Sequence, residues 1–353
     1  MRALQRRCAS RPVFRTLAGS VVVCEPRLAR RALIDTDGRL DDVPAFWRPG
    51  EVALPALQRS ALNRWVHTAL AEQDPARVAA TAVDAVTAAR GDLHRACLHA
   101  VATAHRGPLG LDRDPGLRVT VTRFLDTVFH GLVTGTRRPD PAAFRRLADS
   151  AGAAVGAGAV PELPDLDPSV RGEVYLRAVT AFVGASSAAL AWLLCLLGPG
   201  DLVAARRPPR PAREYAPEHV ALEALRLWPP AWQHRRGVLH DHRLGPLDVL
   251  RGDELVVPVH ALHRHPDQWT DPELFDPDRW AGRRPDAFLP FAIGPGTCVG
   301  ARFEVRWLAA AVENLAARPA VAMTRRGDTP CVTAVFSPPE HDLGGPQSSR
   351  SSA

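Results

Sequence analysis

Residues 291–300 read Phe-Ala-Ile-Gly-Pro-Gly-Thr-Cys-Val-Gly. A single cysteine, Cys298, sits in a loop with three glycines, and the chain then runs straight into a helical pattern over 301–317. Unpaired backbone N–H groups at a helix start, together with the helix dipole, favour a thiolate over a thiol. The placement therefore predicts an ionised Cys298. A thiolate is a strong axial donor for a haem iron, and glycines let a flat molecule approach the backbone closely. Phe291 is placed to shield the sulfur from water. The bland alternative is a structural cysteine beside a turn, the common state of a free cysteine. The segments upstream decide between the two.

Residues 223–230 read EALRLWPP and residues 275–280 read FDPDRW. Glu223 and Arg226 are three apart on a helix and share a face. Taken alone, such a pair in an arginine-rich chain is a solvated surface pair worth little. Here it is followed by an apolar wedge that ends in two prolines, and Arg279 then follows a proline turn. In this order and spacing, EALRLWPP, FDPDRW and FAIGPGTCVG resemble the cytochrome P-450 family. Each signature is weak, whereas three in order are strong.

The resemblance covers about 182–317 well and the first hundred residues loosely. It implies a mainly α fold with a minor β component, in which a long central helix lies over haem b (iron protoporphyrin IX). It implies that Cys298 is the iron ligand, with Phe291, Gly294 and Gly300 shaping the cofactor bed. Glu223, Arg226 and Arg279 are implied to form a buried charge network behind the haem. It further implies a monooxygenase of secondary metabolism. Such an enzyme would oxidise a small apolar substrate with dioxygen, using electrons from a ferredoxin or flavodoxin.

Three departures bear on function. Two positions before the cysteine the family carries Arg or His for a haem propionate; here Gly296 stands. Arg235 or Arg236 resembles the family's other propionate-binding arginine, and the sequence leaves open which one points inward. The Trp-x-x-x-Arg element that also grips the haem is not evident. The long helix lacks the acid–Thr pair that relays protons to dioxygen. Its segment 182–190 reads FVGASSAAL, leaving Ser186 and Ser187 as candidate catalytic hydroxyls; alternatively they bond the preceding turn. Finally, the chain is short for the family, with the shortfall before the long helix and in 198–217. These departures keep open a second reading, a haem-binding or haem-free scaffold that partners or activates another enzyme.

The rest of the chain frames this reading. Among 353 residues, 46% are hydrophobic and 23% charged, as in a globular protein. All basic residues are arginine, and they are spread rather than blocked, so the net charge of +6 does not indicate nucleic acid. It suits an acidic electron carrier. The six cysteines form no C-x-x-C pair, which argues against zinc ribbons. No leader is evident at the N-terminus, and the apolar run 178–197 reads as a core helix rather than a membrane span. A cytoplasmic protein is expected. His94, Cys97, His99 and His105 lack the i, i+4 spacing of a helical metal site. His260, His263 and His265 suit packing or hydrogen bonding.

Strands are expected within 12–24, then a helix from 25 to 34, helices throughout 55–109, and further helices at 117–135 and 141–155. Residues 163–169 read as a loop before the long helix 171–197. A Pro/Gly break at 198–217 precedes a short helix at 218–227, strands at 233–259, a loop-rich stretch at 263–293 and a strand-like end. A single domain over 1–343 with a disordered tail at 344–353 completes the expectation.

Overall fold

A computed structural model describes residues 2–41, 56–134, 140–161, 163, 165–198, 211, 214–282, 284–327 and 338–344. The expected tail lies outside these residues apart from Gly344, as does most of the 198–217 break.

The chain is organised around one long helix, α9. The helices before it are α1 (Arg2–Ser10), α2 (Pro26–Ile34), α3 (Ala56–Ala71), α4 (Pro75–Ala88), α5 (Leu93–Ala104), α6 (Pro115–Phe124), α7 (His130–Thr134) and α8 (Pro141–Gly156). After α9 (Pro168–Leu197) come α10 (Pro217–Leu227), α11 (Val259–Leu262) and α12 (Ala301–Ala316). Helix α9 starts three residues earlier than its apolar pattern suggests. Asp167 caps it by accepting from the Ser169 N–H at 2.8 Å, and Pro168 has its φ preset for a first turn. It is the one helix among the described residues long and apolar enough to cross a membrane, yet 89% of its apolar window is buried within the protein. It packs against α8, α5, α10 and α12. Its approach to α8 is so close that a side chain at Gly172 would collide with the Ala148 carbonyl.

The strands form a minor component. A four-stranded sheet has the order β1 (Val13–Arg15), β2 (Val21–Val23), β7 (Glu254–Val257), β4 (His234–Gly237). Within it β2 and β7 are parallel and the other pairs antiparallel. Strand β3 (Gly91–Asp92) pairs with β9 (Glu340–Leu343), which pairs with β8 (Met323–Gly327). Strands β5 (His242–Leu244) and β6 (Leu247–Val249) make a hairpin.

Several local expectations need correction. The helical run over 55–109 is broken at β3, where Gly91 takes a φ of 84° and Asp92 caps α5 through the Arg95 N–H. The helix expected over 117–135 contains a π-helical turn at Leu125–Phe129. Val259, expected to close the strands, instead opens a short helix, Val259–Leu262. Helix α1 carries no apolar stripe that would announce it; a Cys8–Cys24 disulfide ties it to the chain beyond β2.

Candidate active site

The Cys298 loop is folded on its own backbone. The Cys298 N–H donates to the Phe291 carbonyl at 2.9 Å, and the Thr297 N–H to the Gly294 carbonyl at 3.0 Å. Gly294 has a φ of 73°, and a Cβ there would stand 2.7 Å from the Leu33 carbonyl of α2. Only glycine satisfies both the conformation and the contact. A Cβ at Gly300 would sit 3.1 Å from Leu70. The Cys298 side chain opens onto a cavity of about 340 Å³. Desolvation by the surrounding protein atoms pushes the thiol's pKa up to about 11, against the pull of the helix start; a metal cation at the sulfur would displace that proton.

Behind the loop lies the charge network. The Glu223 carboxylate accepts from Arg226 Nε and Nη2, both at 2.8 Å, from Arg279 Nε at 3.0 Å, and from the Trp280 indole N–H at 3.0 Å. The side chains of Glu223 and Arg226 are fully buried. Arg226 also donates to the carbonyls of His263, Pro272 and Leu274. His263 continues the chain. Its Nε2 accepts from the Leu289 N–H at 2.9 Å, which leaves the proton on Nδ1 to meet the Arg226 carbonyl at 3.0 Å. Burial holds His263 well below its ordinary pKa and thus neutral. A buried ion pair of this kind is thereby fastened to the strand of chain that leads into Phe291.

The two candidate arginines part ways along β4, as successive residues of a strand must. Arg235 turns to Glu254 at 3.0 Å. Arg236 is buried, and its guanidinium fills the space in front of Gly296: a Cβ at 296 would collide with Arg236 Nη2. The space in front of Gly296 is thus taken by the guanidinium of a residue on β4.

Helix α9 forms the opposite wall with Arg177, Thr180, Ala181, Phe182, Ala185 and Ser186. The serines separate because adjacent helical residues point about 100° apart. Ser186 faces the cavity and donates to Glu304 Oε2 of α12 at 2.7 Å. Ser187 is fully buried and is not part of the cavity wall. It donates to the Gly184 carbonyl at 2.9 Å and lies 3.4 Å from His94 Nε2. The structure therefore does not support Ser187 as a catalytic hydroxyl. The remaining walls suit a flat, doubly carboxylated macrocycle. A sulfur donor stands on one side, small residues (Ala181, Ala185) on the other, and Arg59 and Arg236 line the same space.

The family model described as Cytochrome P450 matches residues 217–306. Over this segment the chain is similar to the cytochrome P450 family. Cyclooctat-9-en-7-ol 5-monooxygenase of Streptomyces melanosporofaciens is 34% identical over 170 residues, 42% of this chain; the match spans 37% of that relative's length. Among solved structures, P450 EryK in complex with erythromycin B superposes with a TM-score of 0.69 at 18% identity, covering 100% of this chain and 98% of that one. HmtN, a post-tailoring hydroxylase involved in himastatin biosynthesis, gives 0.67 at 16% identity, covering 95% and 94%. These likenesses establish the P450 fold.

Within this P450 fold the structure adds residues the sequence reading missed. Arg59 and Asn63, one turn apart on α3, line the cavity where the Trp-x-x-x-Arg element was not found. Their i, i+4 spacing was visible but had no distinguishing signal among so many arginines. His105 also lines the cavity; its Nδ1 meets Gln73 Oε1 at 2.9 Å and burial lowers its pKa to about 4. Glu304 was hidden inside an ordinary amphipathic helix.

Proposed function

We propose that this protein holds haem b on Cys298 and acts as a monooxygenase on a small apolar metabolite, with electrons from a ferredoxin or flavodoxin. The observation that carries the reading is Cys298, the one exposed free cysteine among the described residues, facing α9 across a cavity on a loop anchored by a buried ion-pair network. Such a network is costly to bury and has no evident purpose on a scaffold with nothing to hold. The relative named for monooxygenation of cyclooctat-9-en-7-ol supports the reaction type. In this reading residues 1–343 form one haem domain in the cytoplasm.

Haem bound there supplies dioxygen binding and the oxidising power for attack on a C–H bond. The chain's own residues supply the rest. Cys298 gives up its thiol proton on ligation. Phe291 covers the sulfur side against water. Arg236 and Arg59 receive carboxylate groups, while Arg235 is paired with Glu254. Gly294 and Gly300 keep the bed free of side chains. Thr180, Ala181 and Ala185 of α9 bound the space left for substrate.

The test is the carbon monoxide difference spectrum of the reduced protein, run beside Cys298→Ala. A strongly red-shifted Soret band that disappears in the variant is expected. A colourless wild type that refuses added haem defeats the proposal.

A further inference from the structure

The first turn of α12 carries a carboxyl with no counter-cation, on the side of the cavity that holds the Cys298 sulfur. We propose that the Glu304 carboxylate sets an uncompensated negative charge beside Cys298 and thereby lowers the reduction potential of an iron held on that sulfur. The proposal rests on the haem-thiolate reading.

Position is the first observation. The Glu304 N–H donates to the Gly300 carbonyl at 2.8 Å, so the two residues stand one turn apart on one face of α12. A Cβ at Gly300 would lie 3.9 Å from Cys298 Sγ. Residues four apart on a helix have Cβ atoms about 5–6 Å apart. Helical side chains lean towards the N-terminus, here towards the sulfur. The Glu304 carboxyl therefore falls within roughly 10 Å of Sγ, and both residues line one cavity.

Charge is the second observation. Glu304 keeps only 9% of its surface exposed. Its Oε2 accepts from Ser186 at 2.7 Å, and its Oε1 is buried with no hydrogen-bond partner. Arg59, Arg177 and Arg236 line the same cavity, yet among the described residues no cation pairs with Glu304. Glu223, by contrast, is answered by two arginines and an indole N–H. Water is too scarce here to screen the charge. Its field reaches the sulfur, where it adds to the cost of a charged Cys298. Burial lifts the Glu304 pKa to about 7, so the carboxylate prevails in mildly alkaline solution.

Reduction of an iron on Cys298 brings in one electron from the external carrier and adds one negative charge. No bond forms or breaks at Glu304. Two like charges at about 10 Å, in an effective dielectric of about 20, disfavour the reduced state on the order of tenfold. For one electron that is about 59 mV. Glu304 acts through Cys298, so it is a positioning residue, and it fixes how strong a donor the protein needs.

The competing explanation is a hydrogen-bonded staple between α9 and α12. A glutamine would serve as that staple, because its amide oxygen accepts the Ser186 bond, but it carries no charge. An aspartate keeps the charge. Wild type, Glu304→Gln and Glu304→Asp, each loaded with haem, should be compared at about pH 8.5, above the Glu304 pKa. The readouts are a dye-mediated redox titration and the infrared C–O stretch of the carbon monoxide complex.

Glu304→Gln should keep the red-shifted carbon monoxide band and raise the potential by about 59 mV, the tenfold change converted for one electron. Its C–O stretch should rise, because the sulfur then pushes less electron density onto the iron. Glu304→Asp should stay near wild type in both. A Glu304→Gln protein with the wild-type potential, or a Glu304→Asp protein that matches Glu304→Gln, overturns the proposal and leaves the haem-thiolate reading standing. A wild type with no carbon monoxide band overturns that reading and the proposal with it. Should Glu304→Gln fail to fold, Glu304→Ala decides by the same titration.

Discussion

Two arginines lean on a single carboxylate, Glu223, in a place water does not reach. Glu223→Gln keeps the shape and strands both cations, and removing one partner of a buried pair costs about 3–5 kcal/mol. The urea midpoint should fall accordingly; a shift of a few tenths of a kcal/mol would mean that the network bears little load. Gly296→Ala is the complementary test. Its methyl group meets the Arg236 guanidinium, so overpacking of about 1–3 kcal/mol is expected, with weaker haem uptake because the displaced side chain is a proposed anchor. Single residues were legible where a spaced pattern named them: Cys298, Glu223, Arg226 and Arg279. The choice between Arg235 and Arg236 was not legible, because strand alternation needs a known register. Ser187 was misplaced for want of a helix phase.

At the scale of elements, an aspartate before a proline marks four helix starts, a signal that the expected starts at 117 and 171 did not use. Asp74, Asp114, Asp140 and Asp167 each precede a proline and each accept from the first turn. Asp167→Ala should cost about 1 kcal/mol, read as a small drop in melting temperature with the haem site spectroscopically unchanged. Helix α1 was invisible, because a short arginine-rich segment has little apolar face of its own. The Cys8–Cys24 bond closes a sequence separation of 16 residues, and cross-linking a loop of that length stabilises by up to about 3 kcal/mol. Reduction should lower stability by at most that amount and leave the cavity intact. A loss of bound haem on mild reduction would contradict this separation of α1 from the site. The break at β3 was likewise unreadable, since its partner β9 lies at the far end of the chain.

For the whole molecule, acid is the solvent change to which the fold is most exposed. Burial lowers His94 to about 3 and His105 and His234 to about 4, and pushes His260 and His263 well down. Unfolded histidines take up protons near pH 6.5, so below that value the unfolded chain binds more protons than the native one. Stability from these groups is complete above pH 6.5 and drains away as the pH falls towards 4. His105 alone accounts for up to about 3 kcal/mol. Glu304 works in the other direction: its raised folded pKa withdraws stability as the pH rises from 4.5 to about 7. Denaturation midpoints should therefore fall steadily from pH 6.5 to 4. Relative to wild type, Glu304→Gln should gain more at pH 8 than at pH 5. A flat acid limb, or a Glu304→Gln difference independent of pH, would contradict these assignments. The fold class was readable at this scale because three motifs in fixed order leave room for few architectures, whereas the inward-facing identity of Glu304 needed the packed helices.

The bare backbone at Gly296 gives the Arg236 guanidinium room that any larger residue would deny it. The two positions are therefore energetically coupled: Arg236→Ala should restore to the Gly296→Ala protein part of the stability that the single change removes.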